Sequence, residues 1–483
     1  MTVRTVEERR GGCSPQTASG TTAAAASSSL PPERLTKPIF STGLGITIRP
    51  KNWQPSTMRR GDDDDTLVTN AAKKKAFYTI VKADLLIPCD GDLLEDAALV
   101  IEGKLIAWVG AAADLPGKYI DAAPQHHRVF SVPVVMPGLW DVHTHFDGGG
   151  PDDMANYLSF LTEHPASQGA RLARQCWESL QRGYDVAGYG CEIAKAINDG
   201  SIVGPNIYSS GGCLSQLAGH GDIFPLPAGD VLLNMGVGNI TAGHHGTSMS
   251  IIVDGVDECR RGVRLQLRRG AKCIKVMASG GVLSLDDDVS CAQFSAEELA
   301  CIVDEARRQK RCVVAHVHAK DGILQAVRAG VATVEHVSFA DDEVIALVKV
   351  RGVVWVATRT VLQLLLDSGG EGVPRKSWDK ALQVFDASLA GYKRAIADGG
   401  CGMTNLQAIR CATANGPLTV GEQAPKTGQL KVGYEADVLG LTANPAVDVR
   451  VLQQKENIKY VWKGGVLYKG PNIGPWGEDY IFD

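Results

Sequence analysis

Between residues 272 and 358 the chain reads, in order, KCIKVMASGG (272–281), SAEELACIVDEARRQK (295–310), CVVAHVHA (312–319), KDGILQAVRAG (320–330), TVEHVSFA (333–340), DEVIALVKVRG (342–352) and VVWVAT (353–358). The shorter runs have the length and composition of buried strands, and the longer ones repeat apolar residues at helical spacing. Strands that alternate with helices in this way are typical of βα units, whose strands form a parallel sheet.

The same alternation extends over residues 137–427. A span of this length fits a (β/α)₈ barrel, which takes about 250 residues, better than an open sheet. Ser295, with Glu297 and Glu298 behind it, predicts the start of the first quoted helix. We therefore predict an α/β fold whose main domain, over residues 137–427, is a TIM-like (β/α)₈ barrel.

The regions on both sides of this domain share a different sequence pattern. Residues 76–136 and 428–475 consist of short β-rich runs separated by turn residues, such as FYTIVKADLLI (77–87) and IKYVWKGG (458–465). This similarity predicts one small β-sandwich domain composed from both ends of the chain. Residues 1–75 are rich in Ser, Thr, Ala, Gly and Pro, which predicts a disordered low-complexity leader.

Composition excludes several classes of partner. Of the 483 residues, 44% are hydrophobic and 21% are charged, and the net charge of −5 comes without dense Lys/Arg blocks. A nucleic-acid partner is therefore not expected. No apolar run reaches the roughly 18 residues that a membrane-spanning helix needs, so no membrane partner is expected either. The twelve cysteines form no C-x-x-C pair, which favours reduced thiols and a cytoplasmic location, with an extracellular one as the alternative.

A His-x-His motif follows a Pro-Gly turn in VVMPGLWDVHTHFD (134–147). His143 and His145 are two residues apart on a predicted strand, so both imidazoles project from the same face. At the carboxyl end of a barrel strand they would offer two nitrogen ligands to a metal ion. Surface or core histidines remain the alternative for this motif taken alone.

Three further residues lie within short strand-like runs of separate βα units. Lys275 stands between Ile274 and Val276, where an interior lysine is unfavourable unless another group neutralises it. His316 and His336 follow Lys275 by 41 and 61 residues, distances that one or two βα repeats would span. The sequence therefore predicts that four histidines and one buried lysine converge at one end of the barrel.

A set of longer motifs resembles the ochratoxinase-like fungal amidohydrolases of the amidohydrolase superfamily. These motifs are MPGLWDVHTHF (136–146), HPASQGARLAR (164–174), GYGCEIAKAINDGSIVGPNIYSSGG (188–212), LSQLAGHGDIF (214–224), RRGAKCIKVMASGGV (268–282), AHVHAKDGI (315–323), EHVSFADDE (335–343), ATAN (412–415) and GQLKVGYEADV (428–438). The resemblance covers roughly residues 78–479, almost everything after the leader.

The resemblance implies a site with two divalent metal ions, which in this family are zinc. His143 and His145 would bind the first ion, and His316 and His336 the second. Lys275, carboxylated by CO₂ to a carbamate, would bridge the two ions, because the carbamate converts a cation into an anion that both can bind. The metals would activate a water molecule for attack on an amide carbonyl, so Lys275, His316 and His336 would also be catalytic.

Three other polar residues are expected near the mouth of the barrel. His220 and Asp222 lie in the AGHGD loop (218–222), where they would contact substrate or support the metal ligands. Stabilisation of the loop itself is the alternative for both. His318 shares a strand face with His316, and we expect it to support a ligand rather than to bind the metal.

The sequence departs from the family at the last barrel strand, which normally carries a Gly-Thr-Asp motif. About one βα unit, on the order of 25 residues, is absent between Gly399 and Met403. The aspartate of that motif would take a proton from the attacking water, and we do not assign this role to Asp398. A smaller gap lies at RGYDVAGYG (182–190). A gene-annotation artefact or a splice variant would explain both gaps as well as evolution would.

The function that follows is hydrolysis of a carbon–nitrogen bond in a small-molecule amide, such as release of phenylalanine from an ochratoxin-like N-acyl amino acid. The family resemblance also implies a homo-oligomer. Two alternatives stay open: a catalytically impaired relative that acts as a binding or assembly subunit, and a hydrolase of cyclic amides or organophosphates. Loss of a general base reduces the rate by about 10² to 10⁴, and loss of the strand leaves unpaired backbone edges. The acyl group, the metal and the oligomer size are not determined by the sequence.

Overall fold

The computed structural model describes residues 77–121, 126–145, 165–186, 190–239, 250–397 and 403–478. All of them belong to one compact unit, residues 49–481. The predicted leader lies outside the described residues.

The described strands are β1 (Tyr78–Leu86), β2 (Leu94–Glu102), β3 (Leu105–Ala111), β4 (His127–Pro137), β5 (Leu139–Trp140), β6 (Tyr184–Val186), β7 (Cys213–Ser215), β8 (Ser250–Ile252), β9 (Cys273–Met277), β10 (Cys312–Val317), β11 (Thr333–His336), β12 (Val354–Val356), β13 (Val438–Leu441), β14 (Ile458–Lys463) and β15 (Val466–Lys469). The described α-helices are α1 (Gly117–Ile120), α2 (Pro165–Gln181), α3 (Cys191–Asn198), α4 (Ala228–Met235), α5 (Val256–Arg269), α6 (Ala296–Arg308), α7 (Lys320–Ala329), α8 (Asp342–Arg351), α9 (Arg359–Asp367), α10 (Arg375–Ala397) and α11 (Asn405–Cys411). None of the described helices is both long and apolar enough to cross a membrane.

Strands from both sides of the central domain form one seven-stranded sheet with the order β15-β14-β13-β4-β1-β2-β3. Its central strands are joined by parallel pairing of β1 with β4 and antiparallel pairing of β4 with β13. Leu99, Val135, Val438 and Trp462 are buried together against this sheet. Residues more than 300 positions apart in the chain thus share one core, while the predicted two-layer sandwich remains a prediction.

The central domain contains a six-stranded parallel sheet with the order β12-β11-β10-β9-β7-β8 and a separate parallel pair, β5-β6. The sequence prediction of βα units that form a parallel sheet is confirmed. In the register of β10, Val314 aligns with Lys275 and Thr333, and His316 aligns with Glu335. Parallel strands in this register bring their polar residues to one edge. Closure into a complete eight-stranded barrel remains a prediction.

Helix α6 begins where the sequence predicts. The hydroxyl of Ser295 accepts from the backbone N–H of Glu298 at 3.3 Å, and the Glu298 carboxylate accepts from the backbone N–H of Ser295 at 2.7 Å. This reciprocal cap satisfies two N–H groups that the first turn would otherwise leave unpaired. Leu299 and Ile302 of this helix are buried in the same core as the strands of the parallel sheet. The βα unit that contains Lys275 is therefore stabilised by the cap of α6 and by these apolar contacts.

The region of the predicted gap connects α10 to α11. Helix α10 ends at Ala397 and α11 begins at Asn405, and residues 398–402 lie outside the described residues. The backbone N–H of Leu139 donates to Gly183 at 2.9 Å, and that of Trp140 donates to Ala412, just after α11, at 2.7 Å. Strand β5 therefore forms backbone hydrogen bonds both with the residue that precedes β6 and with the segment that follows α11.

Candidate metal centre

Five histidines lie at the carboxyl ends of the parallel strands. His316 is on β10 and His318 follows it directly, His336 is the last residue of β11, and His143 and His145 come just after β5. The backbone N–H of His143 donates to the Asp141 carboxylate at 3.1 Å. This contact fixes the turn in which the first two histidines leave the strand.

The imidazole rings are close enough to share a ligand. The ring centroid of His336 is 4.6 Å from that of His316, 4.8 Å from that of His318 and 4.9 Å from that of His143. His145 lies beside His143, with centroids 5.4 Å apart. His316, His318 and His336 could together hold a metal ion, since their ligand nitrogens all lie within 4.8 Å of one another. The structure thus brings the predicted histidines together, with His316 and His336 on the six-stranded sheet and His143 and His145 after the separate strand β5.

Two of these histidines are oriented by oxygen atoms on neighbouring strands. The Nδ1 atom of His143 donates to the Glu335 carboxylate at 2.7 Å, and Nδ1 of His336 is hydrogen-bonded to the Thr358 hydroxyl at 2.6 Å. An oxygen that accepts from Nδ1 fixes the ring and leaves the lone pair of Nε2 available for a metal.

Lys275 is buried on β9, with 7% of its surface exposed. It lines a cavity of about 70 Å³ together with His143, His145 and Glu335. Burial lowers the pKa of Lys275, although the negative charge of Glu335 acts in the opposite direction. The cavity therefore holds a buried amine that loses its proton more readily than an exposed lysine does.

Glu335 is a site residue that the sequence reasoning missed. Burial alone would raise its pKa, but the charge of Lys275 and hydrogen bonds from His143 and Thr333 outweigh burial and lower it. The carboxylate therefore balances the charge of Lys275. The same signal that pointed to Lys275 was present here, because TVEH (333–336) contains a carboxylate in an apolar strand.

Burial also controls the protonation of the histidines. It lowers the pKa of His318 to about 3 and that of His220 to about 4. The pKa values of His316 and His336 are lowered in the same direction and for the same reason. Neutral imidazole is the form that binds a metal ion, so His316, His318 and His336 are in their ligating state at neutral pH.

The two loop residues expected over the mouth have different surroundings. The ring of His220 stacks on that of His316 with 4.1 Å between centroids, and its Nδ1 is hydrogen-bonded to the Ser284 hydroxyl at 2.8 Å. Asp222 instead accepts from the backbone N–H groups of Ala218 and Ile223, each at 2.6 Å. His220 therefore belongs to the imidazole cluster, while these hydrogen bonds of Asp222 stabilise its own loop.

Helix α10 reaches this cluster through an ion pair that the sequence did not indicate. Lys380 donates to the buried Asp287 carboxylate at 2.8 Å. Asp287 in turn is hydrogen-bonded to Ser284 and lies 3.7 Å from His220 Nδ1. The loop after β9, the loop after β7 and α10 are thus connected through one buried carboxylate.

A parallel sheet with buried imidazoles gathered at the carboxyl ends of its strands is the arrangement of a metal-dependent hydrolase. Residues 134–375 match the amidohydrolase family, and the chain belongs to that family. It is therefore a hydrolase that acts on carbon–nitrogen bonds.

The chain is similar to characterised and solved members of this family. Ochratoxinase of Aspergillus niger is 53% identical over 471 residues, which cover 92% of this chain and 96% of that protein. The crystal structure of A. niger ochratoxinase superposes with a TM-score of 0.79 at 55% identity and covers 84% of this chain and 98% of that chain. A crystal structure of a prolidase complexed with N-methylphosphonate-L-proline has a TM-score of 0.69 at 28% identity and covers 81% of this chain and 100% of that chain.

Proposed function

We propose that this chain hydrolyses the amide bond of N-acyl amino acids of the ochratoxin type and releases phenylalanine. The observation that carries the proposal is the convergence of His143, His316 and His336 beside the buried Lys275. The identity of 53% to ochratoxinase supports the choice of substrate class.

The donor set of this site fits two divalent ions of the zinc type. Neutral imidazoles are ligands that zinc favours. In the proposed arrangement His143 and His145 would hold the first ion and His316 and His336 the second, and a carbamate on Lys275 would supply a negatively charged ligand to both. When bound, the ions polarise the amide carbonyl and activate a water molecule.

The protein supplies the conditions for the carbamate and for the ligand geometry. A carbamate forms when a neutral amine adds to CO₂ and loses a proton, and burial favours the neutral form by lowering the pKa of Lys275. Glu335 orients the His143 ring through a hydrogen bond to its Nδ1 atom, and Thr358 orients the His336 ring in the same way. His220 stacks on His316 and covers one face of that ring.

The gap affects the aspartate that would accept a proton from the attacking water. Without the Gly-Thr-Asp segment, we propose that hydrolysis is slower by about 10² to 10⁴, the usual contribution of a general base.

The test compares this chain with a version that carries a strand and Gly-Thr-Asp motif between Gly399 and Met403. Zinc content and release of phenylalanine from an N-acyl-phenylalanine are measured for both, and a restored version with Gly-Thr-Asn is the matched control. The restored version is expected to be faster than the chain as it stands and faster than the control. Full turnover by the unrestored chain would contradict the role of the gap. No turnover by a metal-loaded restored version would contradict the substrate.

The gap also favours a second candidate, a relative that binds ligands or assembles with other chains without turnover. This candidate predicts metal binding and a stable fold in both versions, with no hydrolysis of any amide in a panel of N-acyl amino acids. Hydrolysis by either version excludes it.

A further inference from the structure

Two cysteines lie opposite each other on neighbouring strands of the parallel sheet. Cys273 is the first residue of β9, Cys312 is the first residue of β10, and the two are partners in the register of this pair. Register partners on neighbouring strands project from the same face of a sheet. Both cysteines are free thiols. Two thiols therefore lie side by side on one face, at the amino ends of β9 and β10.

This face of the sheet borders the cavity that Lys275 lines. Cys273 precedes Lys275 by two residues, so both project from the same face, and both line the cavity. The Cys312 thiol donates to the backbone carbonyl of Thr419 at 3.3 Å, and Thr419 also lines the cavity. Cys273 is 7% exposed, whereas Cys312 is half-buried. The thiol pair is therefore shielded from bulk water, and Cys312 lies on the side from which an ion could enter.

The thiol pair is separate from the imidazole cluster, which lies at the carboxyl ends of the strands. Cys312 precedes His316 by four residues on β10. A strand rises by about 3.3 Å per residue, which places the two Cα atoms about 13 Å apart. An ion held by both sulfurs is therefore not within bonding distance of the imidazoles. The pair is also independent of the proposed hydrolysis, because it uses no residue of the proposed two-metal centre.

The spacing of the two strands suits an ion bound between two sulfurs. Neighbouring strands lie about 4.7–4.9 Å apart. Metal–thiolate bonds of about 2.3 Å would give about 4.6 Å between two sulfurs on opposite sides of one ion. Among the ions that thiolates select, zinc takes four ligands in a closed site, whereas two sulfurs are enough for Cu⁺.

We propose that Cys273 and Cys312 form a second metal site, which binds one soft monovalent ion of the Cu⁺ type between their two sulfur atoms. On binding, each thiol releases one proton to water and each sulfur forms one bond to the ion, with no transfer of electrons. The bound ion links β9 to β10 at their amino ends. Because an ion that binds only the folded protein stabilises it, Cu⁺ is expected to raise the temperature of unfolding.

The test measures Cu⁺ binding without oxygen, in competition with a chromogenic Cu⁺ chelator, for the parent and for Cys273→Ala and Cys312→Ala. Burial raises the pKa of both thiols, that of Cys312 to about 11. Prior treatment with iodoacetamide therefore blocks exposed thiols such as Cys291 first. One equivalent of Cu⁺ should then resist the chelator in the parent.

Each alanine variant should bind Cu⁺ more than about 100-fold more weakly, because loss of even an outer partner of a metal ligand costs about 10- to 100-fold. Cys176→Ala is the matched control, since Cys176 is buried among the apolar side chains of another cluster. Its substitution should leave the Cu⁺ affinity unchanged. X-ray absorption at the copper edge should show two sulfur donors at one distance.

Parent-like Cu⁺ affinity in Cys273→Ala and Cys312→Ala would overturn the inference, as would a parent that retains no Cu⁺ against the chelator. Nitrogen donors in place of the sulfurs would also contradict the site. Thermal unfolding of the ion-free variants checks that each folds, and if one does not, the other decides. Addition of Cu⁺ should raise the unfolding temperature of the parent and of Cys176→Ala alone, and an equal rise in all four proteins would contradict a link between β9 and β10.

Discussion

Glu335 combines two tasks at the level of a single side chain. Its carboxylate accepts from His143 Nδ1 at 2.7 Å, and its charge opposes that of the buried Lys275. Glu335→Gln keeps the size of the side chain but removes both the charge balance and the strong acceptor. We expect zinc affinity to fall by about 10- to 100-fold, measured by titration against a competing chelator.

Glu343→Gln is the control for this prediction. Glu343 is half-exposed on α8, where it pairs with Lys320 at 2.8 Å. Its substitution should leave zinc affinity unchanged. Equal affinities for both variants and the parent would mean that Glu335 does not orient a ligand.

The buried histidines make stability depend on pH in a defined window. The folded-state pKa of His318 is about 3, below the ordinary value of 6.5 that applies when the chain is unfolded. The unfolded state therefore binds more protons as the pH falls below 6.5, and stability decreases. Each such histidine contributes a slope of about 1.4 kcal/mol per pH unit between the two pKa values.

We expect the metal-free protein to be most stable above pH 6.5 and to lose stability steadily toward pH 5. Urea unfolding at pH 7.5, 6 and 5 measures the change, in a range where carboxylates with ordinary pKa values stay ionised. The His318→Gln variant should have a shallower dependence than the parent. Constant stability over this range would show that the histidines are not buried in their neutral form.

At the level of elements, α10 is tied to the loop after β9 by a buried ion pair. The side chains of Lys380 and Asp287 are 12% and 2% exposed. Lys380→Ala leaves Asp287 charged and buried without this partner, which typically lowers the free energy of unfolding by about 3–5 kcal/mol. Urea unfolding of the metal-free protein measures the loss.

The same helix provides a matched control. Lys376, one turn earlier, pairs with Asp286, and these side chains are 65% and 48% exposed. An exposed pair contributes about 0–1 kcal/mol, so Lys376→Ala should have little effect. Equal losses for the two variants would contradict a structural role for the buried pair.

The elements themselves could be predicted because each has a local cause. The βα alternation of residues 272–358 and the cap at Ser295 are visible in consecutive residues, and both match the structure. The sequence placed His316 and His336 in successive βα units, and the structure has them on the adjacent strands β10 and β11, whereas His143 and His145 follow the separate strand β5. Glu335 was missed although its signal was present, since a carboxylate next to a histidine in a strand was not treated as a buried charge.

The hydroxyl partners of the histidines could not be predicted from the sequence. Ser338 follows β11, whereas its partner His318 follows β10. Thr358 likewise comes from the element after that of His336. Ser and Thr are common in loops, and their pairing depends on how separate units pack rather than on any spacing in the chain. The same reason applies to Lys380 and Asp287, which are 93 residues apart.

At the level of the whole molecule, the seven-stranded sheet combines β1–β4, which precede the central domain, with β13–β15, which follow it. Trp462 on β14 is 1% exposed, and its ring lies 5.2 Å from that of Phe130 on β4. Trp462→Ala is expected to reduce the free energy of unfolding by about 3–5 kcal/mol, because it leaves a cavity between the two ends of the chain.

Lys459→Ala is the control on the same strand, since Lys459 is exposed and a surface substitution of this kind changes stability by about 0.5 kcal/mol or less. Chemical denaturation of both variants gives the comparison. A small effect of Trp462→Ala would indicate that the two ends contribute little to each other's stability.

The hydrogen bond between Trp140 and Ala412 determines which backbone groups of β5 are available to other molecules. The Trp140 amide already has an acceptor, at 2.7 Å, on the segment that follows α11. A free strand border attracts strands of other molecules because its amides are available to them. At β5 this group is occupied within the same molecule, so a strand of another molecule could bond to it only by displacing Ala412.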